Sequence, residues 1–343
     1  MEPQRLRQIT GGYGRLSVAL LGDFCLDRYL EIDPALQETS LETGLPVYNV
    51  TQIRAQPGAA GTILNNLVAL GVGEILPLGF AGDDGEGFEL LRAMRALGGV
   101  RMDGFFQTPL RRTFTYCKPL VCESGKPPRE LNRLDSKDWT PTPAEVEDRL
   151  IAALRQHADR IDALIIMDQV DKAETGAATR RVLEAVGDLA ARRPALHVVA
   201  DSRRSLRGYP SVALKMNRAE LSMLLGTAPI RRAPDDLEQT KSLALELARR
   251  HGRCVFVTLA EQGLIGASPA GDLVHFGALP LRGEIDIVGA GDSVTANIAV
   301  ALAAGASLAE AMELANAAAS VVIHQLGTTG TASPAQIAEV LGV

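Results

Sequence analysis

The stretch Asp286-Ile287-Val288-Gly289-Ala290-Gly291-Asp292-Ser293 runs directly into an alanine-rich segment, so an acidic glycine turn stands where a helix begins. Glycines let backbone N–H groups approach an anion without Cβ interference, and a helix N-terminus adds partial positive charge. A carboxylate beside such a turn is placed to take a proton from an attacking hydroxyl. Phosphoryl transfer is therefore the first expectation. An isolated Gly-Ala-Gly-Asp serves equally as a tight turn whose Asp292 caps the helix, so the rest of the chain decides.

Upstream of that turn, short apolar runs alternate with longer amphipathic ones, the pattern of parallel strands joined by helical crossovers. Val18 to Leu21, Ala163 to Met167, Leu196 to Ala200 and Cys254 to Thr258 read as buried strands. Helices are expected over Gly61 to Leu70, Gly85 to Leu97, Pro143 to His157, Gly176 to Arg192, Arg218 to Leu225 and Asp235 to His251. Three more are expected after Gly289, Leu308 and Pro334. The fold class is α/β, a doubly wound and mostly parallel sheet flanked by helices, in one domain over residues 1–343. Tyr29 to Arg54 and Phe105 to Cys122 break this rhythm, with β-branched and aromatic residues alternating with polar ones. They predict a small added sheet, a lid over the strand C-termini where doubly wound folds bind ligands.

Composition narrows the function. The chain has 343 residues, 46% hydrophobic and 22% charged, enough to bury a sizeable core. Its net charge of -6 gives no reason to expect nucleic acid or an anionic membrane as a partner. Cys25, Cys117, Cys122 and Cys254 are scattered without metal-site spacing, as are the five histidines. Met1 to Leu16 hold no apolar core of signal-peptide length and no later segment offers an uninterrupted apolar span, so the cytoplasm is the expected compartment.

The first strand leads into Gly22-Asp23-Phe24-Cys25-Leu26-Asp27, two carboxylates where such a fold opens its ligand crevice. The three spaced glycines of a dinucleotide site are absent there, and Lys126 lacks the glycines and hydroxyl partner of a phosphate-binding Walker loop. Phosphate chemistry must use other parts. Arg203, Arg204 and Arg207 follow a strand carrying Asp201, either to bind nucleotide phosphates or to decorate a loop. Arg111 and Arg112 read as a solvated loop pair or as contacts for a substrate phosphate.

Taken in order, these segments resemble the PfkB or ribokinase-type carbohydrate kinases over nearly the whole chain. Gly22-Asp23 through Asp27 is similar to that family's first-strand motif. Pro57-Gly58-Ala59-Ala60-Gly61 through Asn66 and Leu70-Gly71 resembles its sugar-binding turn and helix, and Gly79 through Gly85 its next motif. Asn217-Arg218-Ala219-Glu220 resembles the Asn-x-x-Glu motif, Thr258 through Glu261-Gln262-Gly263 a nucleotide segment, and Asp286 to Asp292 the anion hole and base. Within the family, Ser40 to Val47, Arg133-Leu134-Asp135 and Leu326-Gly327-Thr328 are similar to the heptose 7-phosphate kinase group.

That resemblance implies an ATP-dependent kinase acting on a sugar or sugar phosphate, with Mg²⁺ and K⁺ as cofactors and a homodimer formed through the lid. It implies Asp292 as base, and Gly289, Ala290 and Gly291 as the anion hole. Substrate contacts are expected at Asp27, Gly58, Ala59, Thr62, Asn66, Tyr116, Lys118 and Arg133. Nucleotide contacts are expected at Asn217, Thr258, Glu261, Gly263 and Asn316. Glu220 would hold Mg²⁺ through water and Asp286 a monovalent cation. The chain departs from the group where substrate is read, with Ala59 for a glycine, Thr62 for an asparagine and Tyr116 for a lysine. Another acceptor, or a ligand-binding regulator that keeps the fold, stays open at this point.

Overall fold

The computed structural model describes residues 1–227 and 236–343. The strands are β1 (Ser17–Gly22), β2 (Phe24–Ile32), β3 (Glu38–Thr39), β4 (Pro46–Val47), β5 (Val50–Ala59), β6 (Glu74–Gly82), β7 (Phe105–Thr108) and β8 (Thr115–Val121). There follow β9 (Arg129–Glu130), β10 (Ala163–Asp168), β11 (His197–Ser202), β12 (Ala213–Asn217), β13 (Val255–Thr258), β14 (Leu264–Ala267) and β15 (Leu273–Phe276). The helices are α1 (Pro3–Thr10), α2 (Ala60–Ala69), α3 (Gly85–Arg95), α4 (Ala144–His157) and α5 (Arg180–Arg192). After them come α6 (Arg218–Leu225), α7 (Asp236–His251), α8 (Ala290–Ala303), α9 (Leu308–Val322) and α10 (Pro334–Leu341).

The central sheet has the order β15-β14-β13-β12-β11-β10-β1-β6-β7, parallel from β13 through β7, with β14 and β15 antiparallel at one edge. Strands buried on both faces read as continuous apolar runs, and β1 is buried at every position. Val18, Leu20, Ile165 and Phe256 face the cluster that includes α2, α8 and α9, while Ala19, Leu21, Ile166 and Val257 face α4, α5 and α7. Ala296 and Ala299 on α8 and Ala315 and Ala318 on α9 have no exposed surface, the small side chains letting these helices pack closely. No helix among the described residues is long and apolar enough to cross a membrane.

A second sheet has the order β5-β2-β8-β9. β2 runs antiparallel to β5 and parallel to β8. Only Asp23 separates β1 from β2, so the chain passes from the core into the second sheet in one step.

Several boundaries differ from expectation. Phe105 to Cys122 is not one added-sheet segment: Phe105–Thr108 pairs parallel with β6 at the edge of the central sheet. The cause is the Phe105 ring, buried edge-on to Phe24 with centroids 5.2 Å apart. Tyr29 to Arg54 likewise understates the second sheet, since β2 begins at Phe24 and β5 reaches Ala59. The helix expected from Gly176 starts at Arg180, because Ala177 N–H is taken by Asp23 Oδ1 at 2.6 Å and Thr179 supplies the cap. The expected start at Asp235 lies outside the described residues. Strands β6, β12, β14 and β15 and helix α1 were not anticipated.

Candidate active site

The glycine turn heads α8. Gly289, at φ 83°, is the N-cap in the left-handed region that favours glycine. The first-turn N–H groups behind it lack intrahelical partners. A Cβ at Gly291 would lie 2.9 Å from the Lys215 ammonium, so a side chain there would have to displace that buried cation.

Asp292 sits in that first turn and is 5% exposed. Burial pushes its carboxyl up to about 6; Arg203 and Lys215 oppose the shift, while Asp201 and Asp27 reinforce it. Beneath the turn, Lys215 Nζ donates to Asp201 Oδ2 at 2.7 Å, and Thr295 Oγ1 donates to the same oxygen at 3.0 Å. This buried triad ties β12 and β11 to α8.

Opposite stands Asp27, in β2, 4% exposed. Its Oδ1 accepts from Lys118 Nζ at 3.1 Å, and its register neighbours are Gln56 and Tyr116. A Cβ at Gly58 would come within 2.4 Å of Asp27 Oδ2 and 2.8 Å of Cys25 Sγ, so glycine here makes room for the carboxylate. Ala59 caps α2 at φ 55° and ψ -115°, a costly region for a residue with a Cβ. Thr62, on α2, brings its methyl group within 3.5 Å of where a Gly289 Cβ would stand. The structure therefore gathers Asp27, Gly58, Ala59, Thr62, Lys118, Gly289, Gly291 and Asp292.

Other expected residues are placed less directly. Asn66 has no exposed surface and donates to Thr62 O at 2.9 Å, inside the helix and away from the crevice surface. Tyr116 accepts from Gln169 Nε2 at 3.3 Å, and the Arg133 guanidinium lies 4.4 Å from the centre of its ring. Arg111 is neither solvated nor free for phosphate: it is 5% exposed and donates to Thr140 O, Thr142 Oγ1 and Thr175 O.

Of the residues expected to contact nucleotide, Asn217 and Thr258 pair at the C-terminal ends of β12 and β13, and Glu261 and Gly263 follow β13. Asn217 and Glu220 form a capping box: Asn217 Oδ1 accepts from Glu220 N–H at 2.9 Å, and Glu220 Oε2 from Asn217 N–H at 2.7 Å. Burial raises the Glu220 carboxyl, and its other oxygen takes no part in the cap. Glu261 lies in the turn Ala260–Gln262. Gly263, at φ 87°, has a structural reason to be glycine, since a Cβ there would fall 1.9 Å from Phe276 O. Asn316 donates to Gly277 O at 2.9 Å. Asp286 Oδ1 accepts from Val288 N–H at 3.0 Å.

Sequence reasoning missed Lys215 and left Arg203 undecided. A lysine inside the run Val212-Ala213-Leu214-Lys215-Met216 was the available signal for the first. Arg203 Nη2 lies 3.4 Å from Asp292 Oδ1. A cleft of about 520 Å³, including space open to solvent, adjoins the site beyond Asp23 and Phe24. It is lined by Arg112, Lys137 and Lys172 together with Asp138, Asp171 and Trp139, but not by Asp27 or Asp292.

A carboxylate with raised proton affinity at a glycine-lined helix head, facing a second buried carboxylate, is equipped to deprotonate a hydroxyl beside bound phosphate. Fold and site together define a kinase, a phosphotransferase with an alcohol group as acceptor. The chain belongs to the pfkB family of carbohydrate kinases, whose profile matches residues 24–336. Among curated proteins it is 29% identical over 343 residues to the bifunctional protein HldE of Geobacter metallireducens, covering 100% of this chain and 66% of that one. It is 30% identical over 331 residues to the bifunctional protein HldE of Trichlorobacter lovleyi, covering 94% and 62%. The chain thus spans less than two thirds of the length of these relatives. Solved structures share the fold. Ribokinase of Arabidopsis thaliana, complexed with ribose and ATP, matches with a TM-score of 0.65 at 18% identity, covering 96% of this chain and 99% of that one. Phosphofructokinase-2 of Escherichia coli in complex with fructose-6-phosphate gives 0.68 at 19%, covering 95% and 98%.

Proposed function

We propose that this kinase transfers the γ-phosphoryl group of ATP to a hydroxyl of a sugar that already carries a phosphate, with a heptose 7-phosphate as the leading acceptor. The observation that carries this reading is the pairing of two buried carboxylates on different elements, Asp27 in β2 and Asp292 on α8, near enough for Asp27 to raise the Asp292 carboxyl. Asp27 binds acceptor hydroxyls and Asp292 takes the proton of the attacking one. The acceptor oxygen forms the new bond to phosphorus, the bond to the leaving oxygen of ADP breaks, and the proton passes to Asp292. N–H groups from Gly289 to Asp292 neutralise the phosphoryl oxygens, which is most of what such a transfer asks of a protein.

The Asn217 and Glu220 pair fits a hydrated Mg²⁺, because one Glu220 oxygen is left outside the cap and Mg²⁺ keeps several of its waters. Bound there, the ion would add to the neutralisation of phosphate charge. Asp286, with one oxygen engaged by Val288 N–H, is the residue for K⁺.

The choice of a heptose phosphate rests on the motifs at Ser40 to Val47, Arg133 to Asp135 and Leu326 to Thr328, and on the alignment of this chain with about two thirds of the HldE relatives. The second sheet serves as the lid. Leu36, Leu41, Leu45, Tyr48, Val50 and Ile53, all exposed on residues 36–53, support a homodimer formed through it. The cytoplasm is the proposed compartment.

The test is ADP release from ATP and magnesium, with and without potassium, across hexoses, heptoses, their 6- and 7-phosphates and nucleosides. Turnover is expected with a heptose 7-phosphate and not in Asp292→Asn. Faster turnover with an unphosphorylated sugar or a nucleoside overturns the acceptor assignment. Nucleotide binding without turnover on any acceptor overturns the kinase reading. A monomer by light scattering at assay concentration removes the dimer.

A further inference from the structure

Arg203 directly follows β11 and reaches toward the head of α8. Its Nη2 lies 3.4 Å from Asp292 Oδ1, and its Nε lies 3.4 Å from Gln169 Oε1. Both contacts are longer than a well-formed hydrogen bond, and the side chain is 43% exposed. A guanidinium has five N–H donors in a planar fork, so two long contacts leave most of its capacity for a ligand. Its neighbours behave otherwise. Lys215, 3% exposed, is held by Asp201 at 2.7 Å, and Arg204 is paired with the buried Asp168.

Asp292 on α8, Asp201 on β11, Glu220 on α6 and Tyr116 on β8 together outweigh burial and hold the Arg203 guanidinium above its usual range. Arg203 is thus a cation within reach of the proposed base that its long contacts leave able to meet an anion. The 520 Å³ cleft makes no comparable demand, since its Arg112, Lys137 and Lys172 are matched by Asp23, Asp138 and Asp171.

We propose that Arg203 is a catalytic residue that leaves Asp292 and clamps the transferring phosphoryl group. It donates to the equatorial oxygens while the acceptor oxygen bonds to phosphorus, the bond to the nucleotide's leaving oxygen breaks, and the hydroxyl proton goes to Asp292. Arginine suits the task because its planar fork meets two phosphoryl oxygens at once, which a point-charge ammonium does not. The swing has a second effect. It withdraws a cation from Asp292 at the moment the carboxylate must accept a proton. This inference rests on the reading of the site as a nucleotide-dependent phosphoryl-transfer centre.

Calorimetry with ADP and with the imido analogue of ATP, each with magnesium, tests the contact without any acceptor. Arg203→Ala should lose about tenfold or more in affinity for the imido analogue while its affinity for ADP stays within about threefold, and Arg203→Lys should fall between. An equal loss for both nucleotides, or none for either, overturns the proposal. With the acceptor that the wild type uses, Arg203→Ala should lower kcat by roughly 10²- to 10³-fold, with acceptor KM nearly unchanged. Free guanidinium should restore part of that loss in Arg203→Ala and nothing in Asp292→Asn. A loss confined to KM, or no rescue, overturns it as well. If Arg203→Ala does not fold, Arg203→Gln takes its place in both measurements. A wild type that binds the imido analogue but phosphorylates no acceptor would sink the proposed function and still let calorimetry decide Arg203.

Discussion

Lys118 Nζ lies 3.1 Å from Asp27 Oδ1 and 3.3 Å from the Tyr29 hydroxyl, so the carboxylate proposed to bind the acceptor is already paired within the second sheet. Burial works against the ammonium, but Asp27 and Tyr29 outweigh it and hold Lys118 above its usual range. Lys118→Met removes one partner of a nearly dry pair and leaves Asp27 buried and charged, which costs more than the pair itself contributes. The variant should lose roughly 1–3 kcal/mol of stability and raise acceptor KM about tenfold or more, with Lys118→Arg retaining much of both. Denaturant melts and initial rates check this. Unchanged KM in the Met variant would show that Lys118 does not orient Asp27.

Asp292 is costly to the fold in the state that catalysis needs. Its carboxyl is raised, so its favourable contribution is complete below the ordinary carboxylate range and is lost as pH rises through about 6. At neutral pH the ionised group is a burden on the order of 3 kcal/mol. Asp292→Asn should therefore melt higher than wild type at pH 7.5 while turnover falls by roughly 10²- to 10⁴-fold. Calorimetric scans and rates from one preparation decide it. Near-normal turnover would remove Asp292 as base.

The same burial sets a pH dependence. Arg203, Lys215, Asp201 and Asp27 face Asp292 from the elements packed around it, and the balance leaves the carboxyl near 6. A base works when deprotonated, so kcat/KM should fall as pH drops through about 6, above the range of an unperturbed aspartate near 4. An acid limb below pH 5 would mean that the group titrating in the free enzyme is not a buried carboxylate.

Ala59 holds φ 55° where the end of β5 meets α2. Sparsely populated backbone of this kind costs roughly 1–3 kcal/mol, against roughly 0.5–1 kcal/mol of extra entropy that a glycine loses on folding. Ala59→Gly should leave stability the same or raise it, with a small change in acceptor KM. A drop in melting temperature would show that the methyl group packs usefully enough to offset its strain.

The sequence revealed what is local and concealed what is paired across strands. The turn Gly289 to Asp292, the Asp27 motif and the Asn217 to Glu220 cap each lie within a few residues, and their glycines and carboxylates can be read in line. The contact of Arg203 with Asp292 and that of Lys215 with Asp201 join residues 89 and 14 positions apart, and no periodicity reports them. Phe105–Thr108 went to the wrong sheet because alternating aromatic residues suit the edge of either sheet. Only the fit of Phe105 against Phe24 decides between them. Gly263, expected to contact nucleotide, also has a packing reason to be glycine in the approach of the Phe276 carbonyl, which its neighbours in the sequence do not reveal.

The single residue between β1 and β2 makes Asp23 an axle. Its backbone N–H is fixed to Met167 O, its carbonyl takes Ala60 N–H, and its carboxylate takes the N–H groups of Gln169 and Ala177. Asp27 rides on the arm beyond that axle, whereas Asp292 is anchored through α8 to the core. The placement of the second sheet therefore sets the gap between the carboxylate proposed to grip an acceptor and the one proposed to deprotonate it. A ligand touching both carboxylates would be held by the second sheet and by the core at once, so the hydrogen bonds that fix Asp23 set how far apart those two grips stand.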